Sequence, residues 1–300
     1  MDKFRVRDHD VFYLSYDEPN AEKNYADICN KIPWVKRVHG VKGSDAAHKA
    51  CAERAETERF TTVDGDNIIN PKWLDVEIEF DMDTVDLTTS VVSWCGYNIV
   101  NGLVYGNGGL KCWPTEYTKT INTHEAATDG EGMEFCWKLD YIQLNDTFSE
   151  VHQTASPFQA FRAGFREGVK MSLNQGEHIK PEDFMKTIWG PNLRILSTWM
   201  TVGADVENGK YAMLGARMGC YSTTVDTNEW IQVRDLDKML DYYENSVVHE
   251  KIDEDLRLYG ESIRQRIDLP VAELDEYQSK FIKYIYPPHK NTGVQDREYK

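Results

Sequence analysis

Residues 59–69 carry the pattern from which the fold class can be argued, and they read Arg59-Phe60-Thr61-Thr62-Val63-Asp64-Gly65-Asp66-Asn67-Ile68-Ile69. The first half is β-branched and aromatic, which favours a strand buried in a sheet. Two aspartates follow with one glycine between them. Because glycine has no Cβ, the backbone there can turn tightly enough to bring both carboxylates to one point. Carboxylate oxygens suit Mg²⁺ or Mn²⁺ in a site that also receives substrate phosphates. The run therefore predicts a strand that ends in a metal-binding turn formed by Asp64 and Asp66, with a plain solvated turn as the alternative.

The composition is that of a globular protein with an acidic surface. The chain has 300 residues, 41% of them hydrophobic, which is enough for one large α/β domain or two small ones. A net charge of −16 repels polyanions unless a local basic patch binds them. The six cysteines include no Cys-x-x-Cys pair, which argues against structural zinc and a disulfide framework. No apolar run approaches a membrane span and the charged start is unlike a secretory signal, so we expect a cytoplasmic protein without a membrane partner.

Strand and helix patterns alternate before the acidic run. An apolar strand at 10–16 is followed by a helix from Ala21 to Lys31, a second strand at 35–41 and an alanine-rich helix at 45–55. This order predicts an α/β fold with a Rossmann-type, mostly parallel sheet flanked by helices, which binds ligands beyond the carboxyl ends of its strands. We expect residues 1–150 to form this core. Residues 151–300 are expected to form a mainly helical part packed on it.

The ordered set of motifs resembles the nucleotide-binding half of GT-A glycosyltransferases of the family-2-like type. The resemblance implies that Ser15, Tyr16 and Asp17 contact the nucleotide of a sugar donor. It also implies that Asp64 and Asp66 bind Mn²⁺ or Mg²⁺, which holds the diphosphate of the donor. His48 lies on the helix that contributes a further donor contact in this family, at a position where its members usually have asparagine.

A glycine-rich segment at 101–114 is the second concentrated signal. Glycine loses the most conformational entropy on ordering, so a segment that contains Gly102, Gly106, Gly108 and Gly109 is usually kept where the backbone must approach something closely. One interpretation places it over the donor sugar or the acceptor, with Lys111 near the diphosphate as a catalytic cation. The alternative is a hairpin with a glycine turn.

An acidic segment at 123–134 is expected to be a loop that offers carboxylates as a catalytic base. A transferase that inverts stereochemistry needs such a base to take the proton of the acceptor hydroxyl. Among Glu125, Asp129, Glu131 and Glu134 we select Asp129. The alternative is that these acids only solvate the surface of an acidic protein.

Ser156 and Pro157 predict the start of a helix, because serine caps and proline suits the first turn. Arg162, Arg166 and Lys170 follow at four-residue spacing, so their side chains share one face. Such a row can bind phosphate, with Arg162 and Arg166 as the expected contacts, or it can be an ordinary solvated face. His152 lies just upstream, and the resemblance to GT-A enzymes implies that it is a candidate third metal ligand. The alternative is a structural histidine.

These features and the resemblance together predict a metal-dependent glycosyltransferase that moves a sugar from a nucleotide sugar to a hydroxyl group. The resemblance implies a UDP-sugar of the glucose or arabinose type as the donor. The pattern is similar to that of tailed-phage enzymes that modify 5-hydroxymethylcytosine, so hydroxymethylated DNA is the leading acceptor and the host cytoplasm the expected location. A polysaccharide or glycan acceptor is the first alternative. A nucleotidyltransferase is the second, although residues 15–19 lack the glycine-rich phosphate loop expected there. A non-catalytic binding protein is the third.

Overall fold

This computed structural model describes residues 3–106, 108–122, 140–174, 176–225 and 235–285. Strands and helices in these ranges are numbered along the chain. The strands are β1 Lys3–Arg5, β2 Asp10–Ser15, β3 Lys36–His39, β4 Arg59–Asp64, β5 Asn67–Ile69, β6 Glu77–Glu79, β7 Val91–Asn98, β8 Val104–Tyr105, β9 Leu110–Pro114 and β10 Tyr141–Val151. The helices are α1 Ala21–Lys31, α2 Ser44–Arg54, α3 Thr115–Thr118, α4 Pro157–Ser172, α5 Phe184–Thr187, α6 Gly190–Thr201, α7 Gly209–Thr224, α8 Leu236–Ser246, α9 Ile252–Ile267 and α10 Glu276–Ile285.

The first part of the chain forms the predicted parallel unit. β2 lies between β3 and β4 and is parallel to both, with Leu14 opposite Asp64 and Ser15 opposite His39. The crossovers between these strands are α1 and α2, because parallel neighbours need a long connection that returns the chain to the same edge. The carboxyl ends of three strands therefore meet at one edge of the sheet.

The complete sheet is mixed, which corrects the expectation of a mostly parallel one. Its strand order is β3-β2-β4-β9-β7-β10-β5, with β8 paired to β7. Parallel pairing is limited to β2 with β3, β2 with β4, and β7 with β10. The other pairs in the described sheet are antiparallel. Short connections, such as the turn between β7 and β8, can join only antiparallel neighbours, and the sequence pattern does not reveal which strands will pair.

The sheet also curls. β4 and β5 are separated only by Gly65 and Asp66, yet β5 lies at the end of the strand order, with β9, β7 and β10 between the two, and pairs with β10. Two residues span at most about 7 Å, so the sheet must curve until its β4 and β5 strands come close together. The Asp64-Gly65-Asp66 turn therefore lies where the ends of β2, β4, β9 and β10 converge.

The described elements after β10 are helices. Ser156 caps α4 as predicted, since its hydroxyl accepts from the Gln159 backbone N–H at 3.1 Å. Phe161, Phe165 and Val169 of α4 are buried. Helices α8 and α9 are joined by a short 3₁₀ turn at His249–Lys251.

Close contact between α4 and α7 fixes the position of α4. A Cβ at Gly164 or Gly168 would overlap the backbone of α7, and one at Gly215 or Gly219 would overlap the backbone of α4. Small residues spaced four apart on two facing helices allow the backbones to approach in this way. Within the described residues, no helix is both long and apolar enough to cross a membrane.

Candidate active site

The Asp64-Gly65-Asp66 turn is fastened on several sides by hydrogen bonds to its backbone. The Asp64 N–H donates to the Gly109 carbonyl at 3.0 Å, and the His152 N–H donates to the Asp66 carbonyl at 2.7 Å. The Gly65 carbonyl accepts from the Tyr13 hydroxyl at 2.7 Å. Because these hydrogen bonds join its backbone to neighbouring segments, the turn is held in place. Asp64 and Asp66 themselves are half-buried.

Three carboxyl groups lie close enough at this turn to oppose one another's ionisation. Burial raises the pKa of Asp64 to about 6, and the charges of Asp66 and Glu18 add to the rise, while Lys111 and Arg166 oppose it. Burial likewise raises the pKa of Glu18, and Asp66 contributes to that rise. Buried carboxylates that repel one another create a strong negative potential, which favours the binding of a cation between them.

The arginines of α4 face these acids. Burial and the neighbouring Arg166 lower the pKa of Arg162 to about 10, and the charges of Asp17, Glu18 and Asp66 oppose that shift. The Arg162 Nε atom is buried and has no hydrogen-bond partner among the described groups. A guanidinium in this position, with a free donor, is suited to a further anion such as a phosphate.

The cations of α4 follow the edge of the sheet. From Arg162 to Lys170 the helix rises about 12 Å, comparable to the width of three neighbouring strands at about 4.8 Å each. Electrostatic interactions relate these side chains to the strand ends: Arg162 with Asp17, Glu18 and Asp66, Arg166 with Asp64, and Lys170, whose pKa burial lowers to about 7, with Lys111. The basic residues of α4 therefore lie within electrostatic range of the ends of β2, β4 and β9.

Lys111 and Gly109 lie beside Asp64. The Lys111 side chain is 9% exposed, and its ammonium donates to the Gly108 carbonyl at 2.7 Å. A Cβ at Gly109 would overlap the Asp64 carboxyl group, and one at Gly108 would contact the backbone of β7. The glycines therefore let this segment lie directly on the acidic turn and on the sheet. Upstream of them, residues 98–103 form the turn of a β7–β8 hairpin, which was the alternative interpretation.

The residues predicted to contact the nucleotide differ in their surroundings. Ser15 is buried, and its hydroxyl is 2.9 Å from the His39 Nδ1 atom. The Tyr16 N–H donates to Glu18 at 2.8 Å. Asp17 is exposed and faces Arg162 electrostatically. All three lie at the carboxyl end of β2 next to the acidic turn, where the prediction requires them.

His48 is packed in α2. Its Nδ1–H donates to the Ser44 carbonyl at 2.7 Å, and its ring lies 4.3 Å from that of Trp113. Burial lowers the pKa of His48 to about 4, helped by Lys111, so the ring is neutral at pH 7. Its contact with the donor stays a prediction.

His152 lies beside the turn through its backbone, but its ring is engaged elsewhere. The Nε2 atom is 3.1 Å from the Glu150 carboxylate, so binding a metal through this atom would require that contact to break. Asp129, selected as the catalytic base, lies outside the described residues. Its role stays a prediction.

The donor set fits a divalent cation in chemistry. Asp64, Asp66 and Glu18 supply hard oxygen ligands of the kind that Mg²⁺ and Mn²⁺ prefer. In the described ranges, no three His, Cys, Asp or Glu side chains already converge as a metal-binding group. A cation held by one or two carboxylates and completed by water and substrate phosphates, as is usual for Mg²⁺, agrees with both observations.

Glu18 and Glu167 are two carboxylates of this region that sequence reasoning did not select. Glu18 follows Asp17 in the loop after β2. Its position next to a residue expected to contact the nucleotide could have identified it. Glu167 lies on α4 between Arg166 and Lys170 and is 8% exposed, and nothing in the sequence indicates this burial.

Comparisons with known proteins give distant similarity. No protein-family model matches the chain, and no curated protein matches it. Among solved structures, a glycosyltransferase involved in glycosylation of the major capsid of PBCV-1 is 12% identical over 47% of this chain and 93% of its own, with a TM-score of 0.29. The mannosyltransferase PcManGT from Pyrobaculum calidifontis, in complex with GDP-Man and Mn²⁺, is 12% identical over 98% of this chain and 89% of its own, with a TM-score of 0.36. Similarity at this level carries no functional conclusion, which must come from the site itself.

Proposed function

We propose that this protein is a metal-dependent glycosyltransferase that transfers a sugar from a UDP-sugar of the glucose or arabinose type to a hydroxyl group. The observation that carries the proposal is the position of Asp64 and Asp66 at the carboxyl edge of the sheet, opposite Arg162 and Arg166 of α4. Acids and cations that face each other across a strand edge form a site for a metal-bound diphosphate.

The residues divide the task along that edge. Asp64 and Asp66 would hold Mn²⁺ or Mg²⁺, which neutralises charge on the departing diphosphate. Arg162, Arg166 and Lys111 would contact the phosphate oxygens and favour the same charge development. Ser15, Tyr16 and Asp17 would then lie on the nucleoside side, because they precede the acidic turn along the edge. Asp129 is proposed as the base, and His152 as a further metal ligand once its ring leaves Glu150.

The identity of the acceptor, like the choice of UDP and of a glucose or arabinose donor, rests on sequence resemblance. 5-Hydroxymethylcytosine in DNA is the leading candidate, and a polysaccharide or glycan hydroxyl is the alternative. A net charge of −16 requires that any contact with DNA be local, and α4 supplies the basic row in this region.

Release of UDP from a panel of UDP-sugars in the presence of Mn²⁺ tests the proposal. We expect slow hydrolysis of one donor, accelerated by DNA that contains hydroxymethylcytosine but not by unmodified DNA. Asp64→Asn should abolish both rates. If a glycan accelerates UDP release and hydroxymethylated DNA does not, the acceptor is a glycan and not DNA. Failure to bind UDP or release it from any donor would refute the transferase, and pyrophosphate release from UTP and a sugar phosphate would identify a nucleotidyltransferase instead.

A further inference from the structure

Glu167 joins two parts of the molecule near the candidate site. One of its oxygens accepts from the Tyr105 hydroxyl at 2.8 Å, and the other accepts from the Lys170 ammonium at 2.8 Å. The same Tyr105 hydroxyl accepts from the indole N–H of Trp199 at 2.9 Å. The Trp199–Tyr105–Glu167–Lys170 chain of hydrogen bonds, called here the Glu167 network, thus connects α6, β8 and α4.

Glu167 and Trp199 are deeply buried, and Tyr105 is half-buried. A buried polar group that loses its hydrogen bond has no water to replace the partner, so breaking such a bond is costly. The side chains of a buried hydrogen-bond network therefore have little conformational freedom. The Glu167 network therefore fixes the orientation of its side chains and the distance between β8 and α4.

The Glu167 network lies at a defined end of the site. Asp17 and Arg162 mark the end at β2, and Asp64 with Arg166 marks the middle. Tyr105 lies opposite Gly96 of β7, which packs closely on Gly108, next to the Gly109 that lies on Asp64. Lys170 interacts electrostatically with Lys111 at this β9 end. If the nucleoside lies over β2 and the diphosphate at Asp64, the next group along the donor is the sugar, which would lie at the β9 end.

We propose that Glu167 is a positioning residue of the sugar end of the site: it holds Lys170, and through Tyr105 it holds strand β8, where the transferred sugar binds. This inference rests on the proposed function and adds to it a residue that acts without touching the nucleotide.

A role at the sugar end predicts a separation between catalysis and nucleotide binding. Displacing Lys170 or β8 should misplace the sugar, and small misplacements reduce turnover steeply. UDP lacks the sugar, so its contacts with Asp64, Asp66, Arg162, Arg166 and Lys111 should remain. The Lys111 ammonium is held by the Gly108 carbonyl, which is not part of the Glu167 network.

Tyr105→Phe and Glu167→Gln test the inference. The first removes the hydroxyl that donates to Glu167, and the second leaves a single acceptor oxygen for the Tyr105 hydroxyl and the Lys170 ammonium. Tyr277→Phe removes the same hydroxyl from an exposed tyrosine on α10 and serves as the matched control. For each variant and the double variant, kcat and KM of donor hydrolysis and the calorimetric Kd for UDP with Mn²⁺ would be measured. Thermal unfolding would verify that the variants are folded.

We expect each variant to reduce kcat about tenfold or more, with the Kd for UDP within about twofold of the wild type. The double variant should be no worse than the poorer single variant, because both changes break one network. Wild-type kcat in Tyr105→Phe, or an equal loss of UDP affinity, would overturn the positioning role alone. A wild-type protein that neither binds UDP nor hydrolyses any donor would overturn the proposed function, and this inference with it.

Discussion

Asp64 shows how surroundings decide the chemistry of a side chain. It ends a buried strand beside Asp66 and Glu18, and burial raises its pKa to about 6. An ordinary solvated aspartate in an acidic turn would have neither the burial nor the facing cations. Lys111 and Arg166 lie near enough to favour its ionised form, which is the form that binds a metal.

His48 makes the stability of the fold depend on pH. Burial lowers its pKa from 6.5 to about 4, so the unfolded chain binds a proton between these values while the folded chain does not. Its contribution is complete above pH 6.5 and is lost as the pH falls toward 4. In His48→Gln we expect the loss of unfolding free energy between pH 7 and pH 5 to be smaller by about 2 kcal/mol. Urea titrations at both pH values measure this, and equal losses in both proteins would contradict it.

Gly109→Ala should disrupt the acidic turn, because the added methyl group would overlap the Asp64 carboxyl group. We expect UDP binding in the presence of Mn²⁺ to weaken about tenfold or more, since Asp64 or the β9 segment must move. Gly190→Ala is the matched control, as a Cβ there meets nothing within 4 Å. Similar UDP affinity in the two variants, measured by calorimetry, would contradict the close contact.

At the scale of elements, α4 is the part that turns a sheet edge into a site. It carries Arg162, Arg166 and Lys170 across the strand ends, and its other side is held against α7 by glycines. The position of the cations therefore depends on how closely two helices approach.

Gly168→Ala tests this dependence. The methyl group would meet the Ala216 carbonyl, so the helices must separate or strain. We expect a loss of about 1–3 kcal/mol in unfolding free energy, the usual cost of overpacking, together with weaker UDP binding because Arg166 moves with the helix. Chemical denaturation and calorimetry measure the two effects, with Gly190→Ala again as the control. Unchanged stability would show that α4 and α7 are not in close contact.

Arg166→Gln separates charge from packing on the same helix. Loss of the Arg166 guanidinium should weaken UDP binding in the presence of Mn²⁺ about tenfold, the amount expected for one charge-assisted contact to phosphate. Arg257→Gln on α9 removes an exposed arginine paired with Glu261 and should leave the affinity unchanged. An equal loss of UDP affinity in both variants would show that the overall positive charge, and not a contact between Arg166 and phosphate, affects binding.

Local patterns predicted the elements that local chemistry determines. The bounds of α1 are as predicted, and β2, β3 and β4 differ by a few residues at their ends. The pairing of β5 with β10 was not predictable, since it joins segments far apart in the chain and depends on the curl of the sheet. The same curl, rather than a motif, brings His152 to Asp66. Gly164 and Gly168, with Gly215 and Gly219, were a visible signal of close helix packing that was not used.

At the scale of the whole molecule, the charge distribution restricts the ligand more than the net charge does. A chain at −16 gathers Arg162, Arg166, Lys111 and Lys170 at one edge, beside the acids that would hold a cation. Such a balance admits a small metal-bound polyanion while the rest of the surface repels large ones. This contrast favours a nucleotide sugar as the ligand, and requires that a DNA acceptor be held locally.

The most direct test of the central claim is a crystal structure of the protein with UDP and Mn²⁺, with the metal located by its anomalous signal. We predict a manganese peak bonded to carboxylate oxygens of Asp64 or Asp66 and to the diphosphate, with Arg162 and Arg166 on the phosphate oxygens. A manganese peak away from that turn, or UDP bound elsewhere while Asp64 and Asp66 face no ligand, would contradict the account.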